Sequence, residues 1–236
     1  GALMAWCHAL KVYGSLTLHD ILLPAISLAE HGFLVTPYLS TCISENADRI
    51  SQDKELEALF LPGSQPLIPG SRLRRADYAA TLRAIAAEGA EIVYNGEIGD
   101  RIVNNLSTRG GIISSFDLKN YSVIERNPIS SEYRGFKIFG PPPPASSGVH
   151  ISQMLNVLEG YDIASLGFGS PESLHLIAEA MKIAFADRQV STADPDFVSV
   201  PVDKLISKEY AKQRREKLSR ERAFNWFPEA HFNGES

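Results

Sequence analysis

Apolar residues recur at helical spacing through most of the chain and at strand spacing in one short part of it. Trp6–Tyr13 predicts a short helix ended by Gly14, and Ile21, Leu22, Ala25, Leu28 and Ala29 form a second stripe closed by Gly32. A charged amphipathic stretch, Ser44–Phe60, runs into the connector Pro62–Gly70, whose proline and glycine content marks a surface loop. Asp77–Glu88 predicts a helix with Tyr78, Leu82 and Ile85 on one face, and Ile98–Leu106 a further short one. Phe116-Asp117-Leu118 predicts a helical turn capped by Ser114 or Ser115. Tyr121–Ser130 and Glu132–Phe139 predict two antiparallel strands.

Four prolines follow, Pro141–Pro144, which can continue neither a ladder nor a helix. The turn Ala145-Ser146-Ser147-Gly148 then opens a helix with apolar residues at Ile151, Met154, Leu155 and Leu158. Either serine is placed to cap it, and Gly148 permits close backbone approach. The longest predicted helix starts at Ser170-Pro171, with Leu174, Ile177, Ala178, Met181, Ala184 and Phe185 as its buried face. Val202–Ile206 and the basic stretch Lys208–Arg222 are the last helices, and the pattern is lost after Asn225.

Composition adds little to this picture. Of 236 residues, 44% are hydrophobic and 22% charged, an ordinary globular balance. A net charge of −5 gives no electrostatic reason for a nucleic-acid partner, and no apolar run approaches the roughly 20 residues of a membrane span. The opening Gly1-Ala2-Leu3-Met4 carries no basic leader and does not resemble a natural start, so an upstream segment is expected. Cys7 and Cys42 have no metal-ligand spacing.

Four clusters invite chemistry, and each has a plainer reading. Ser146, Ser147 and His150 suggest a serine hydrolase, but Ala145 and Val149 stand where a nucleophile elbow needs glycines, so capping is preferred. His175 and Glu179 share a helix face, yet no second histidine completes a metal set; a hydrogen bond or ion pair is expected there. Asp187, Arg188, Asp194 and Asp196 form a charge cluster in which Arg188 is expected to tether the loop through a carboxylate. Lys208–Arg222 has too few aromatics for nucleic acid and is expected to be a solvated face. No catalytic constellation, metal site or cofactor spacing emerges.

Several stretches together resemble the γ-glutamyltransferase (glutathione hydrolase) family of N-terminal nucleophile hydrolases. They are Leu16–Gly32, Tyr78–Gly111, Phe116–Tyr121, Tyr133-Arg134-Gly135, PPPPASSGVHISQMLNVLEGYD, LHLIAEAMKIAFADR and DPDFVSVPVDKLISKEYA, in family order and spacing. The resemblance implies an α+β fold, the αββα four-layer sandwich, with this chain contributing mostly helices plus a strand pair. It further implies a self-cleaving precursor whose downstream small subunit begins with a nucleophilic threonine, its own α-amino group acting as base. Residues 1–222 are then the large-subunit portion, lacking its beginning, and 223–236 a flexible tail ending at the cut. Ser236 is the expected processing site. No catalytic residue carries over to this chain, since the nucleophile lies downstream and the glutamate-binding arginine upstream; substrate-binding residues, metal and cofactor are likewise unassigned.

Two departures bear on the substrate. Gln189-Val190-Ser191-Thr192-Ala193 replaces aromatic and glycine-containing text, and the turn reads Ala-Ser-Ser-Gly rather than Ser-Ser-Gly-Gly. A γ-glutamyl amide is the leading expectation, with cephalosporin acylases and oxamate amidohydrolase as relatives on the same scaffold. The non-enzymatic alternative is a helical interaction domain built on Lys208–Arg222. Localisation follows the substrate: periplasmic or extracellular for a γ-glutamyltransferase, cytoplasmic for an amidohydrolase relative.

Overall fold

A computed structural model describes residues 1–228, which divide into two compact units, Gly1–Ile124 and a second beginning at Glu125. The predicted site residue Ser236 lies outside the described residues.

The first unit is built from nine helices among the described residues: α1 (Ala2–Tyr13), α2 (Leu18–His31), α3 (Pro37–Glu45), α4 (Ala47–Ile50), α5 (Lys54–Phe60), α6 (Ala76–Glu88), α7 (Glu91–Tyr94), α8 (Glu97–Thr108) and α9 (Ser115–Lys119). α2 begins where it does because Thr17 and Asp20 form a capping box, satisfying two amides that the first turn leaves without intrahelical partners. Ser114 and Asp117 start α9 the same way. The core sits where Ile26 and Ala29 of α2 meet Ala79 and Leu82 of α6, with Leu22 and Ala86 flanking. Alanines on both helices let the two backbones approach.

Gly32, at φ 80°, ends α2 and leads into a strand pair absent from the sequence reading, β1 (Phe33–Leu34) against β2 (Arg72–Leu73). Two residues per strand carry no alternation to detect. Side chains reinforce it, Arg72 donating to Gly32 O at 3.1 Å and Arg74 to Glu30 O at 2.9 Å.

In the second unit, β3 (Ile129–Tyr133) pairs antiparallel with β4 (Phe136–Gly140), from Ile129↔Gly140 to Tyr133↔Phe136. The predicted pair thus exists, but its first strand starts at Ile129 rather than Tyr121, and its turn falls at Arg134-Gly135. Pro128 has no amide to give a ladder. Arg134 and Gly135 both have positive φ, 51° and 84°, the two-residue reversal that suits the twist of a hairpin.

The helices α10 (Ser147–Leu158), α11 (Pro171–Ser191), α12 (Val202–Leu205) and α13 (Lys208–Glu216) complete the unit. Val157, Ala180, Ile183 and Ala211 form one core cluster, and Val149, Leu205 and Tyr210 another. The buried faces differ in part from those predicted, Ala184 alone of the residues named for α11 being fully buried. α11 buries Ser173, Leu176, Ala180, Ile183, Ala184 and Asp187, whereas Leu174, Ile177, Met181 and Phe185 are exposed. α10 likewise buries Val149, Ser152, Gln153, Asn156 and Val157 and leaves Ile151 exposed. Both helices carry two candidate faces, and the small side chains of Ala180 and Ala184 allow the closer approach.

Candidate functional site

The proline-rich corner leads into α10, which carries His150, Ser152 and Gln153. β4 delivers Gly140 against the first turn of α10 so closely that a Cβ on Gly148 would lie 2.2 Å from Pro141 O and 2.8 Å from Gly140 C. A Cβ on Gly140 would in turn lie 2.6 Å from Gly148 Cα. Only glycine fits at either position. The expected close approach is therefore present, but the expected cap is not: Ser146 is the residue before α10 and its side chain makes no capping bond. Its backbone is already helical, φ −82° and ψ −20°, which turns the hydroxyl away from the amides it was to accept from.

Below this corner runs a continuous buried network. Gln153 Nε2 donates to Asp187 Oδ2 at 2.6 Å, and Tyr210 OH donates to the same oxygen at 2.8 Å. Because the Gln153 amide nitrogen must face the carboxylate, its Oε1 faces His150 Nδ1 at 3.1 Å and makes that nitrogen the protonated one. His150 Nε2 then accepts from Thr192 Oγ1 at 2.7 Å. Arg214 stands 3.7 Å from Asp187 Oδ1, both side chains fully buried. The hairpin is stitched on by Ser131 Oγ, which donates to Ser152 Oγ at 2.9 Å; Ser152 in turn donates to Gly148 O.

Ser146, Ser147, His150, Ile151, Phe185 and Arg188 also line a cleft of about 220 Å³ between α10 and α11. The arrangement does not activate a serine. Both ring nitrogens of His150 are committed to Gln153 and Thr192, and among the described residues no hydrogen bond joins it to Ser146 or Ser147. Burial depresses the His150 pKa, with Gln153 opposing, and holds the ring neutral. Unfolded, the imidazole titrates near its ordinary 6.5; folded, it takes a proton only at lower pH. As pH falls through 6.5 the unfolded chain binds the extra proton first, so stability present above that value is lost. The urea midpoint is expected to fall between about pH 7.5 and about pH 5.5, and a His150→Gln variant to flatten that slope.

The remaining clusters resolve differently from expectation. His175 and Glu179 do not pair with each other: His175 Nε2 meets Ser219 O at 2.8 Å, and Glu179 accepts from Lys182 at 2.7 Å and Trp226 Nε1 at 2.6 Å. Burial pushes the Glu179 carboxyl up, but the bonds from Lys182, Trp226 and the Phe224 amide more than offset this and hold its pKa low. The loop at Asp194-Pro195-Asp196 is held by Arg126, 3.6 Å from Asp196, not by Arg188, which lies over the Phe185 ring. Asp187 instead belongs to the buried network.

The basic stretch is largely the solvated face expected, with Lys208, Lys212, Lys217, Arg220 and Arg222 exposed, but Arg214 is buried and Arg215 half-buried. α13 buries Tyr210, Ala211 and Arg214, while Lys208 donates to Glu132 O, Asn156 Oδ1 and Glu159 Oε2, and Arg215 to Asn156 O. The sequence reading missed Gln153, Tyr210 and Asn156 as network members, since uncharged polar residues among apolar ones give no periodic signal. Among the described residues there is no group of three or more potential metal ligands, and no helix long and apolar enough to cross a membrane.

The fold is that of the N-terminal nucleophile hydrolases of γ-glutamyltranspeptidase type. Helicobacter pylori gamma-glutamyltranspeptidase superposes with a TM-score of 0.88 at 38% identity, over 93% of this chain and 63% of that one. The chain belongs to the gamma-glutamyltranspeptidase family, whose model matches residues 1–236. It is 57% identical over 226 residues to the acylase ACY 1 proenzyme of Pseudomonas sp. (strain V22), covering 96% of this chain and 40% of that protein. It is 38% identical to the glutathione hydrolase proenzyme of Escherichia coli (strain K12), covering 90% of this chain and 37% of that protein. The chain thus spans about two-fifths of the length of these relatives.

Proposed function

We propose that this chain is the large-subunit part of a self-processed amidohydrolase precursor, and that its substrate is an acylase-type amide rather than glutathione. The observation that carries the reading is the difference in identity across the same stretch, 57% to an acylase proenzyme against 38% to a glutathione hydrolase proenzyme. It reverses the order expected from motifs alone and agrees with the departures at Gln189–Ala193 and in the Ala-Ser-Ser-Gly turn.

In the proposed reaction the peptide bond after Ser236 is cut, which frees the amino group of a downstream threonine. The threonine hydroxyl then adds to the substrate amide carbon, its proton passing to the α-amino group. The amine leaves with that proton, and water or an acceptor amine takes the acyl group from the resulting ester. Residues of this chain hold the scaffold: the neutral His150 and the Asp187–Arg214 pair are structural, and no cofactor enters. The exposed face formed by Leu174, Ile177, Met181 and Phe185 supports a partner polypeptide from the same precursor, because so much adjacent apolar side chain is rarely left to solvent.

A glutaryl amide and a γ-glutamyl amide differ only by the α-ammonium group. A site built to bind that ammonium rejects the glutaryl analogue strongly, because its buried acceptors are left unpaired. Comparing kcat/KM for a glutaryl anilide, a γ-glutamyl anilide and oxamate, with a glutaryl cephalosporin beside them, on the complete processed precursor therefore separates the readings. The glutaryl amide is expected to be preferred by about tenfold or more. A preference for the γ-glutamyl anilide restores the glutathione-type reading, and one for oxamate the third.

A further inference from the structure

Glu172, His175, Glu179 and Lys182 lie at i, i+3, i+7 and i+10 of α11, one polar stripe along about 15 Å of helix. Three of them bind the segment that follows α13. Arg220 pairs with Glu172, its Nε donating at 2.8 Å. Ser219 O meets His175 Nε2 at 2.8 Å. Phe224 N and Trp226 Nε1 both donate to Glu179 Oε2, at 3.3 and 2.6 Å, while Lys182 holds the other carboxylate oxygen. The Glu179 side chain is only 2% exposed. The Trp226 ring packs on the cluster of Val157, Ala180, Ile183 and Ala211, with the Arg214 guanidinium 5.0 Å above it, and Arg214 also donates to Phe227 O at 3.0 Å. A buried carboxylate is costly unless fully bonded. Here both bonds to Oε2 come from a segment that otherwise has no helix or strand of its own.

We propose that this strap positions the polypeptide leading to Ser236 for self-cleavage, with Glu179 and Trp226 as positioning residues. The inference rests on the reading above, in which the bond after Ser236 is the one cut. Fixing Phe227 leaves nine residues to Ser236, a reach of at most about 30 Å. With Glu179 and the Trp226 ring both removed, the strap beyond Arg220 keeps, of the contacts named above, only the Arg214–Phe227 O bond, and where that bond opens the free tether grows to 16 residues. Effective concentration falls roughly as the −3/2 power of tether length, so release slows cleavage about twofold from length alone, and more if the strap also orients the chain.

The test is a time course of self-cleavage of the complete precursor, with the cut located by mass spectrometry. Two variants are compared with wild type: Glu179→Leu/Trp226→Ala, which releases the rung, and a seven-residue Gly-Ser insertion after Pro228, which lengthens the tether by the same amount with the strap intact. Both are expected to slow cleavage by about twofold or more. In the processed enzyme isolated after cleavage is complete, the double variant is expected to keep wild-type kcat/KM. A wild-type rate for the double variant overturns the proposal, as does a slow double variant beside an unaffected insertion, or an equal loss of kcat/KM in the processed enzyme. A wild-type precursor not cut after Ser236 overturns the underlying reading as well, which distinguishes the two failures.

Discussion

Asp187→Ala lowers the stability of the second unit by about 3–5 kcal/mol, the largest effect expected of any single substitution in the buried network. Three groups converge on this carboxylate: Gln153 and Tyr210 donate to Oδ2, and Arg214 stands beside Oδ1. Removing it leaves a guanidinium in a fully buried place without its carboxylate, and two donors without their acceptor. The attraction of the pair itself is not the source of the effect, because burying both ions already costs much of what their contact returns. Asp187→Leu combined with Arg214→Met is therefore expected to recover most of the lost stability. Urea midpoints of the single and double variants in the processed protein check this. Equal losses in both would show that packing, not the stranded charge, dominates.

Gly148→Ala is expected to destabilise by about 3 kcal/mol. The added methyl meets backbone on both near contacts, Pro141 O and Gly140 C, so no side chain can swing aside. Relief requires β4 to move away from α10, which also breaks the Ser131–Ser152 contact. Gly135→Ala provides the comparison. Its φ of 84° is strained for alanine but nothing lies within 4 Å of the added Cβ, so a loss of only about 1 kcal/mol is expected. A Gly148 variant no worse than the Gly135 variant in urea midpoint would show that the corner yields.

The helices were legible because their signals are local. Ser114, Ser170 and Gly32 act within one turn of themselves, and each stands at a helix end in the structure. The close approach at Gly148 was legible too, because four prolines beside a glycine restrict the backbone before any tertiary contact forms. The fate of Ser146 was not, since a cap depends on the entry angle of the preceding chain, and that angle is imposed by β4.

The chemistry-bearing residues show the same division. His150, His175, Glu179 and Asp187 were each singled out as local pairs, yet their partners are Thr192, Ser219, Trp226, Tyr210 and Arg214, from 23 to 47 positions away. Periodicity finds an apolar face but cannot say which of two faces packs within this chain. In α11 it favoured Leu174, Ile177, Met181 and Phe185, the side left exposed.

By itself the sequence determined that most of the chain is helical, where a capping serine or a terminal glycine bounds a helix, that a proline corner joins a hairpin to a helix, and, through ordered motifs, the family. Only the tertiary structure decided which helix faces are buried, that His150 is neutral with both nitrogens engaged, and that Glu179 straps down the segment before the chain's last residues. The physical reason is range. Capping, turn geometry and steric exclusion act within a few residues, whereas burial and hydrogen-bond partnership are set by whichever distant segment arrives, and in this chain those segments are α13 and the strap that follows it.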